Sequence, residues 1–199
     1  MNTDSLKLIN IGNIVTYNTD LESMVSLGQN EIIISEGKIL EIGENLSDSC
    51  KVFDCKNKLV TPGFIDCHTH PVFIDERENE FEMRTKGASY EDIANKGGGI
   101  NYSVDGVRNS TEDELINRVS LRMDDFLRLG TTTVEAKSGY GLNLESELKS
   151  LKVLHEVDSN HNIDIIPTFM GAHAIPSEYK NNPEGYVDLL CDVIIPNVS

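Results

Sequence analysis

Three stretches of this chain place chemistry-bearing residues at the ends of β-branched, apolar runs. The first is Phe64-Ile65-Asp66-Cys67-His68-Thr69-His70, which follows the turn Thr61-Pro62-Gly63. Side chains alternate along a strand, so His68 and His70 face one side. Two imidazoles held close together on a rigid strand end form half of a metal site suited to Zn2+ or iron. A bare His-x-His also occurs among surface histidines. Here the Pro-Gly turn and the apolar run before the pair favour the metal reading.

The second stretch is Glu135-Ala136-Lys137-Ser138-Gly139-Tyr140-Gly141-Leu142. Glycines on either side of Tyr140 allow a backbone path that presents the phenol instead of packing it away. The stretch lacks the Gly-Lys-Ser/Thr signature of a phosphate loop. The third is Gly171-Ala172-His173-Ala174-Ile175-Pro176, whose small residues leave room around His173 for substrate contact or proton transfer. Arg77 follows the histidine pair within a charged run that would otherwise read as solvated surface. Its guanidinium suits bidentate capture of a carboxylate. Tyr90 and the glycines Gly97, Gly98 and Gly99 are expected to supply a pocket wall and a lid hinge.

The elements that must position these residues follow from periodicity. Leu6–Tyr17, the pair Glu31–Ser35 and Lys38–Ile42 around Glu36-Gly37, Val52–Asp54 and Lys58–Val60 read as short strands of a small sheet module. Residues 75–110 read as a long excursion with some helix near Tyr90–Asn95. Thr111–Glu114 is a capping box opening a helix with Leu115, Ile116, Val119, Met123, Phe126 and Leu127 on one stripe. Thr131–Glu135 is a strand. Asn143 caps a helix with the stripe Leu144, Leu148, Leu151 and Leu154. Asn162–Met170 is a third strand, and Glu184–Val198 a helix with Val187, Leu190, Cys191 and Ile194 inward. Strand-then-helix units in succession predict a parallel α/β architecture, with the strand C-terminal ends on the face that carries chemistry. A (β/α)8 barrel needs about 250 residues, more than this chain supplies, so either a small open sheet or part of a larger protein is expected.

Composition narrows the partners. The 199 residues carry 17 Lys+Arg against 33 Asp+Glu, a net charge of −16. A surface that acidic repels phosphate backbones and anionic lipid, which argues against nucleic acid and membrane. No run reaches the ~20 apolar residues of a membrane span, and Met1–Asn10 lacks a signal-peptide core, so a cytoplasmic location is expected. Cys50, Cys55, Cys67 and Cys191, without CxxC spacing, read as reduced and mostly packed thiols.

Taken together, these residues resemble the amidohydrolase superfamily through Pro-Gly-Phe-Ile-Asp-Cys-His-Thr-His. They resemble its imidazolonepropionase family through Gly97–Ile100, Glu135–Leu142, Gly171–Pro176 and Tyr186–Val198. The resemblance implies an α/β chain comprising the first part of a (β/α)8 TIM barrel preceded by a small β-sandwich module, the barrel being incomplete. Residues 1–60 would form the sandwich part and 61–199 the first three βα units. It implies hydrolysis of the cyclic amide 4-imidazolone-5-propanoate to N-formimidoyl-L-glutamate with one Zn2+ or iron ion. His68 and His70 match metal ligands, while Arg77, Tyr140, His173 and Tyr90 match or adjoin substrate-binding positions. The family's later His and Asp ligands and its acid/base group have no counterpart here, so no catalytic residue is assigned within this chain. The expectation is an N-terminal half, inactive alone, that pairs as a homodimer or with a complementing C-terminal half. Other cyclic-amide hydrolases and nucleobase deaminases of the superfamily are the alternative reading, with a non-catalytic binding half as a further one.

Overall fold

Apolar alternation over the first sixty positions builds two small sheets. Strands β1 (Ser5–Ile9), β4 (Glu31–Ser35), β5 (Lys38–Gly43) and β6 (Lys51–Asp54) form a sheet ordered β5-β4-β1-β6. Strands β2 (Asn13–Asn18), β3 (Ser23–Leu27) and β7 (Leu59–Val60) form another, ordered β3-β2-β7. Ile11, Ile14, Ile32 and Cys55 are buried with Leu8, Leu27, Ile42 and Val60 packed against them, so both sheets contribute to one core, as in a sandwich. The β4–β5 hairpin turns at Glu36 and Gly37 with φ of 51° and 72°. Both positive values belong to the tight turn whose twist matches paired strands. Within the stretch Leu6–Tyr17 the chain forms parts of β1 and β2, and Asn10, at φ of 53°, redirects it between them.

The computed structural model describes residues 5–47, 51–74, 76–89, 92–93 and 98–198. Its backbone contacts divide the chain into two units, Met1–Pro62 and Gly63–Ser199. In the second unit, β8 (Phe64–Thr69), β9 (Thr131–Lys137) and β10 (Asp164–Thr168) form a parallel sheet ordered β10-β9-β8. The helices are α1 (Glu78–Thr85), α2 (Ile100–Asn109), α3 (Glu112–Arg128), α4 (Leu144–Asn160), α5 (Pro183–Leu189) and α6 (Ile195–Val198), the last two joined through a wide π-turn over Leu190–Ile194. Thr111 and Glu114 close a reciprocal capping box at α3, and the Asn143 side chain accepts from the Ser146 amide at α4. These caps satisfy amide donors that a helix start leaves unpaired.

One face of the parallel sheet is packed. Val134 and Ala136 of β9 and Ile165 of β10 meet Leu115, Val119 and Met123 of α3 and Val153, Leu154 and Val157 of α4. Removing such a side chain from water is worth about 1.5–3 kcal/mol for each Val, Leu, Ile or Met, which fixes both helices on the sheet. Among the described residues no helix is long and apolar enough to cross a membrane.

Several expectations change. Strand β8 is largely exposed: the neighbours Phe64 and Ile65, which point to opposite faces, are 58% and 72% exposed, and β8 is an edge strand of the sheet β10-β9-β8. The excursion over 75–110 contains α1 and α2. Helix α1 has no buried residue and therefore no apolar stripe to read, while Asp105 and Gly106 interrupt the pattern of α2. Helix α4 buries Ser146, Glu147, Ser150, Val153, Leu154 and Val157, a face rotated from the leucine stripe. In the last helical segment Tyr186, Leu190 and Ile194 are buried, whereas Val187 and Cys191 are exposed. Of the described cysteines, Cys55 is buried and Cys67 and Cys191 are exposed free thiols. Cys50 lies outside the described residues.

Candidate metal and substrate site

Four rings from the three strand ends gather in the second unit. The His68 and His70 ring centroids are 5.6 Å apart and tilted by 59°. His70 is stacked on His173 at 4.6 Å with the planes 15° apart. Tyr140 lies 5.4 Å from His70 and 5.4 Å from His173. Parallel pairing of β8 with β9 and of β9 with β10 brings these ends level. The Thr69 hydroxyl donates to the Glu135 carbonyl at 2.7 Å and reinforces the β8–β9 pairing beside the rings.

Backbone carbonyls orient the imidazoles. His70 Nδ1 lies 3.2 Å from the Ser138 carbonyl and His173 Nδ1 3.1 Å from the Gly139 carbonyl. A carbonyl only accepts, so each Nδ1 donates, and in the neutral ring this leaves Nε2 with its lone pair. Metal-binding histidines are commonly fixed in this way. Burial lowers the His70 pKa, and repulsion from His173, His68 and Lys137 adds to it against the Ser138 hydrogen bond. The neutral, ligating form is therefore favoured. His68 and His70 thus fit a metal as two imidazole ligands. Among the described residues no group of three or more His, Cys, Asp and Glu gathers to complete a site.

Beside the rings, Lys137 is ion-paired with Glu135. Burial raises the Glu135 pKa, but hydrogen bonds with Lys137 and Thr168 and the Lys137 charge outweigh it and hold the carboxyl below its usual range. Phe73, Glu76, Arg77, Ser103 and Tyr140 line a cavity of about 170 Å3. Arg77 precedes α1, with Nη1 4.0 Å from Glu80 Oε2, and Glu80 also accepts from the Gly99 amide at 2.7 Å. A larger cavity of about 300 Å3 touches His70 but is otherwise mostly apolar, lined by Pro71, Phe73, Phe126 and Leu129 among others. It offers little to hold a polar substrate, and the smaller cavity is the one with matching chemistry.

The structure brings His68, His70, Tyr140 and His173 into one cluster and joins Arg77 to Tyr140 across the smaller cavity. Tyr90 and Gly97 lie outside the described residues. Gly99 serves as the N-cap of α2, at φ of 78°. Three residues of the site had no sequence signal singled out for them. Ser103 is 3% exposed and lines the Arg77 cavity. Arg108 donates to the carbonyls of Gly141 and Leu142. Glu147 is fully buried beneath the Tyr140 loop. A glutamate in the first turns of a capped helix reads as ordinary helix-start chemistry, which hid the last of them.

The fold of the chain is similar to that of solved hydrolases. The triazine hydrolase from Arthrobacter aurescens superposes with a TM-score of 0.59 at 17% identity, covering 83% of this chain and 35% of that one. An uncharacterized metal-dependent hydrolase from Pyrococcus furiosus does so with a TM-score of 0.51 at 15% identity, covering 83% of this chain and 50% of that one. No family model matches the chain. In sequence it is 45% identical over 193 residues to the imidazolonepropionase of Psychromonas ingrahamii, which is 95% of this chain and 48% of that protein. It is 44% identical over 191 residues to the imidazolonepropionase of Clostridium tetani, 92% of this chain and 45% of that protein. The chain spans about half the length of the curated relatives it matches. Over that shared N-terminal length it is a homologue of the imidazolonepropionases.

Proposed function

We propose that this chain is the N-terminal half of a metal-dependent hydrolase that opens 4-imidazolone-5-propanoate to N-formimidoyl-L-glutamate. The observation that carries the reading is the stack of His70 on His173 with Tyr140 beside both, next to a cavity that Arg77 lines. In this reading the parallel sheet is the first three strands of an eight-stranded barrel. The first sixty residues are its sandwich module, and the barrel units begin at residue 61. His68 and His70 would hold one zinc or iron ion, which supplies Lewis acidity when bound. Arg77 binds the propionate, Tyr140 closes over the chain between carboxylate and ring, and His173 orients the ring against the histidine pair. The reduced thiols and acidic surface fit the cytoplasm.

Catalytic zinc sites keep about three protein ligands, and the described residues bring two histidines together at the strand end. That observation favours a second, compatible reading in which the chain alone binds and does not turn over. The remaining ligands and the proton-transfer group then come from a complementing C-terminal half. Assay of the chain on 4-imidazolone-5-propanoate, alone and mixed with the C-terminal half of a relative, tests both. Turnover only in the mixture supports the proposal. A mixture that hydrolyses another cyclic amide or deaminates a nucleobase, and leaves the imidazolone intact, overturns the substrate assignment.

A further inference from the structure

We infer that Glu147 is the positioning residue that aims Tyr140 and His173 into the site. This rests on the reading above, in which those two side chains contact substrate. Glu147 lies on α4 at 0% exposure, where a carboxylate is costly unless its oxygens are filled. They are filled by one loop. Oε1 accepts from the amides of Gly141 and Leu142, each at 2.8 Å, and Oε2 accepts from the Gly139 amide at 3.2 Å. Tyr140 sits between these anchored amides, and the Gly139 carbonyl receives His173 Nδ1. The clamp thus reaches Tyr140 through its neighbours and His173 through the single residue Gly139.

The path needs glycine at Gly139 and carries backbone strain at Leu142. Gly139 has φ of 107° and Leu142 φ of 52°, regions that cost free energy for residues with a Cβ. A Cβ on Gly139 would lie 2.9 Å from His173 Cβ and 2.8 Å from the Met170 carbonyl oxygen. Arg108 fixes the opposite side, donating Nε to the Gly141 carbonyl at 2.7 Å and Nη2 to Glu178 at 2.8 Å. The Glu147 carboxyl group holds the loop's donors and the Arg108 guanidinium holds its acceptors.

The isosteric substitution Glu147→Gln separates this role from packing. The amide oxygen can still serve Gly141 and Leu142, but the NH2 group then faces the Gly139 N–H, donor against donor. In the isolated chain, NMR hydrogen exchange should quicken about tenfold at Gly139 and less at Gly141 and Leu142, the change expected for one lost hydrogen bond. Affinity for 3-(1H-imidazol-4-yl)propanoate, followed by titration, should fall about five- to tenfold, in line with a misplaced contact. Val119→Ala in the α3 core serves as control: it lowers stability and leaves the affinity of the folded protein unchanged. If Glu147→Gln does not fold, Glu147→Asp keeps the charge with a shorter reach and should weaken the same probe. Wild-type probe affinity in a folded Glu147 variant, or exchange at Gly139 no faster than in the wild type, overturns the inference. A wild-type chain that does not bind the probe refutes the functional reading instead, and exchange at the three amides still decides the clamp.

Discussion

His70 and His173, contributed by non-adjacent strands, stack with ring centroids 4.6 Å apart. Both point Nδ1 at carbonyls of one segment, Ser138 and Gly139. That segment is therefore the common support of His70 and His173. Replacing Ser138 by Pro or inserting a residue after it should disturb both rings together. Ring signals of His70 and His173 in a histidine-selective spectrum should both shift, and movement of one alone would contradict a shared support.

Arg77 stands at the mouth of a cavity it shares with Tyr140 and Ser103. Hydrogen bonds to charged groups are worth about 1.5–3 kcal/mol. Arg77→Ala should therefore weaken 3-(1H-imidazol-4-yl)propanoate about tenfold to a hundredfold, and Arg77→Lys should recover part of the loss. Binding of the uncharged propanamide should not change. Calorimetric titration of both ligands checks this, and equal losses for acid and amide would remove Arg77 from carboxylate recognition.

Arg122 joins α3 to the segment after His70. It donates to the Pro71 carbonyl at 2.9 Å and the Phe73 carbonyl at 2.6 Å, and its guanidinium carbon lies 3.4 Å from the Phe73 ring centroid. Nη1 alone serves both carbonyls while the flat guanidinium lies over the Phe73 ring, a stack that a lysine ammonium does not reproduce. Arg122→Ala should cost about 2–3 kcal/mol in urea unfolding, since it strips charged hydrogen bonds from part-buried carbonyls. Arg122→Lys should fail to restore most of it.

The capping box at α3 gives a pH-dependent test. Hydrogen bonds from the Thr111 amide and hydroxyl hold the Glu114 carboxyl below its ordinary value of 4.5. A lowered folded-state pKa contributes stability above that ordinary value and loses it as pH falls through the folded-state value. Thr111→Ala should cost about 1 kcal/mol near neutrality. The gap between variant and wild type should narrow on acidification below pH 4.5. Urea midpoints measured from neutral to acidic pH check the sign, and a gap that widens with acid would contradict it.

What the sequence made legible has a pattern. Thr111, Glu114 and Asn143 were readable because a helix start needs side-chain acceptors at fixed offsets. Gly37 was readable because a two-residue hairpin needs positive φ. His68, His70, Tyr140 and His173 were found because chemistry gathers at strand ends in parallel sheets. Helix α1 escaped because it buries nothing, and β3 because Met24 is 62% exposed and leaves little alternation to see. Glu147 and Arg108 escaped for a different reason. Their partners are backbone atoms of a loop, and main-chain amides and carbonyls leave no mark in a sequence.

The central claim is that His68 and His70 form the metal-binding half of one site with Tyr140 and His173. Zn2+ titration of the isotope-labelled chain, followed through its five histidines, tests it most directly. The account predicts that His68 and His70 respond first and together, and that His173 and the Tyr140 ring shift with them. His155 and His161, the latter held 3.2 Å from Asp124, should stay unchanged. Zinc that perturbs His155 or His161 and leaves the His68–His70 pair untouched would contradict the account.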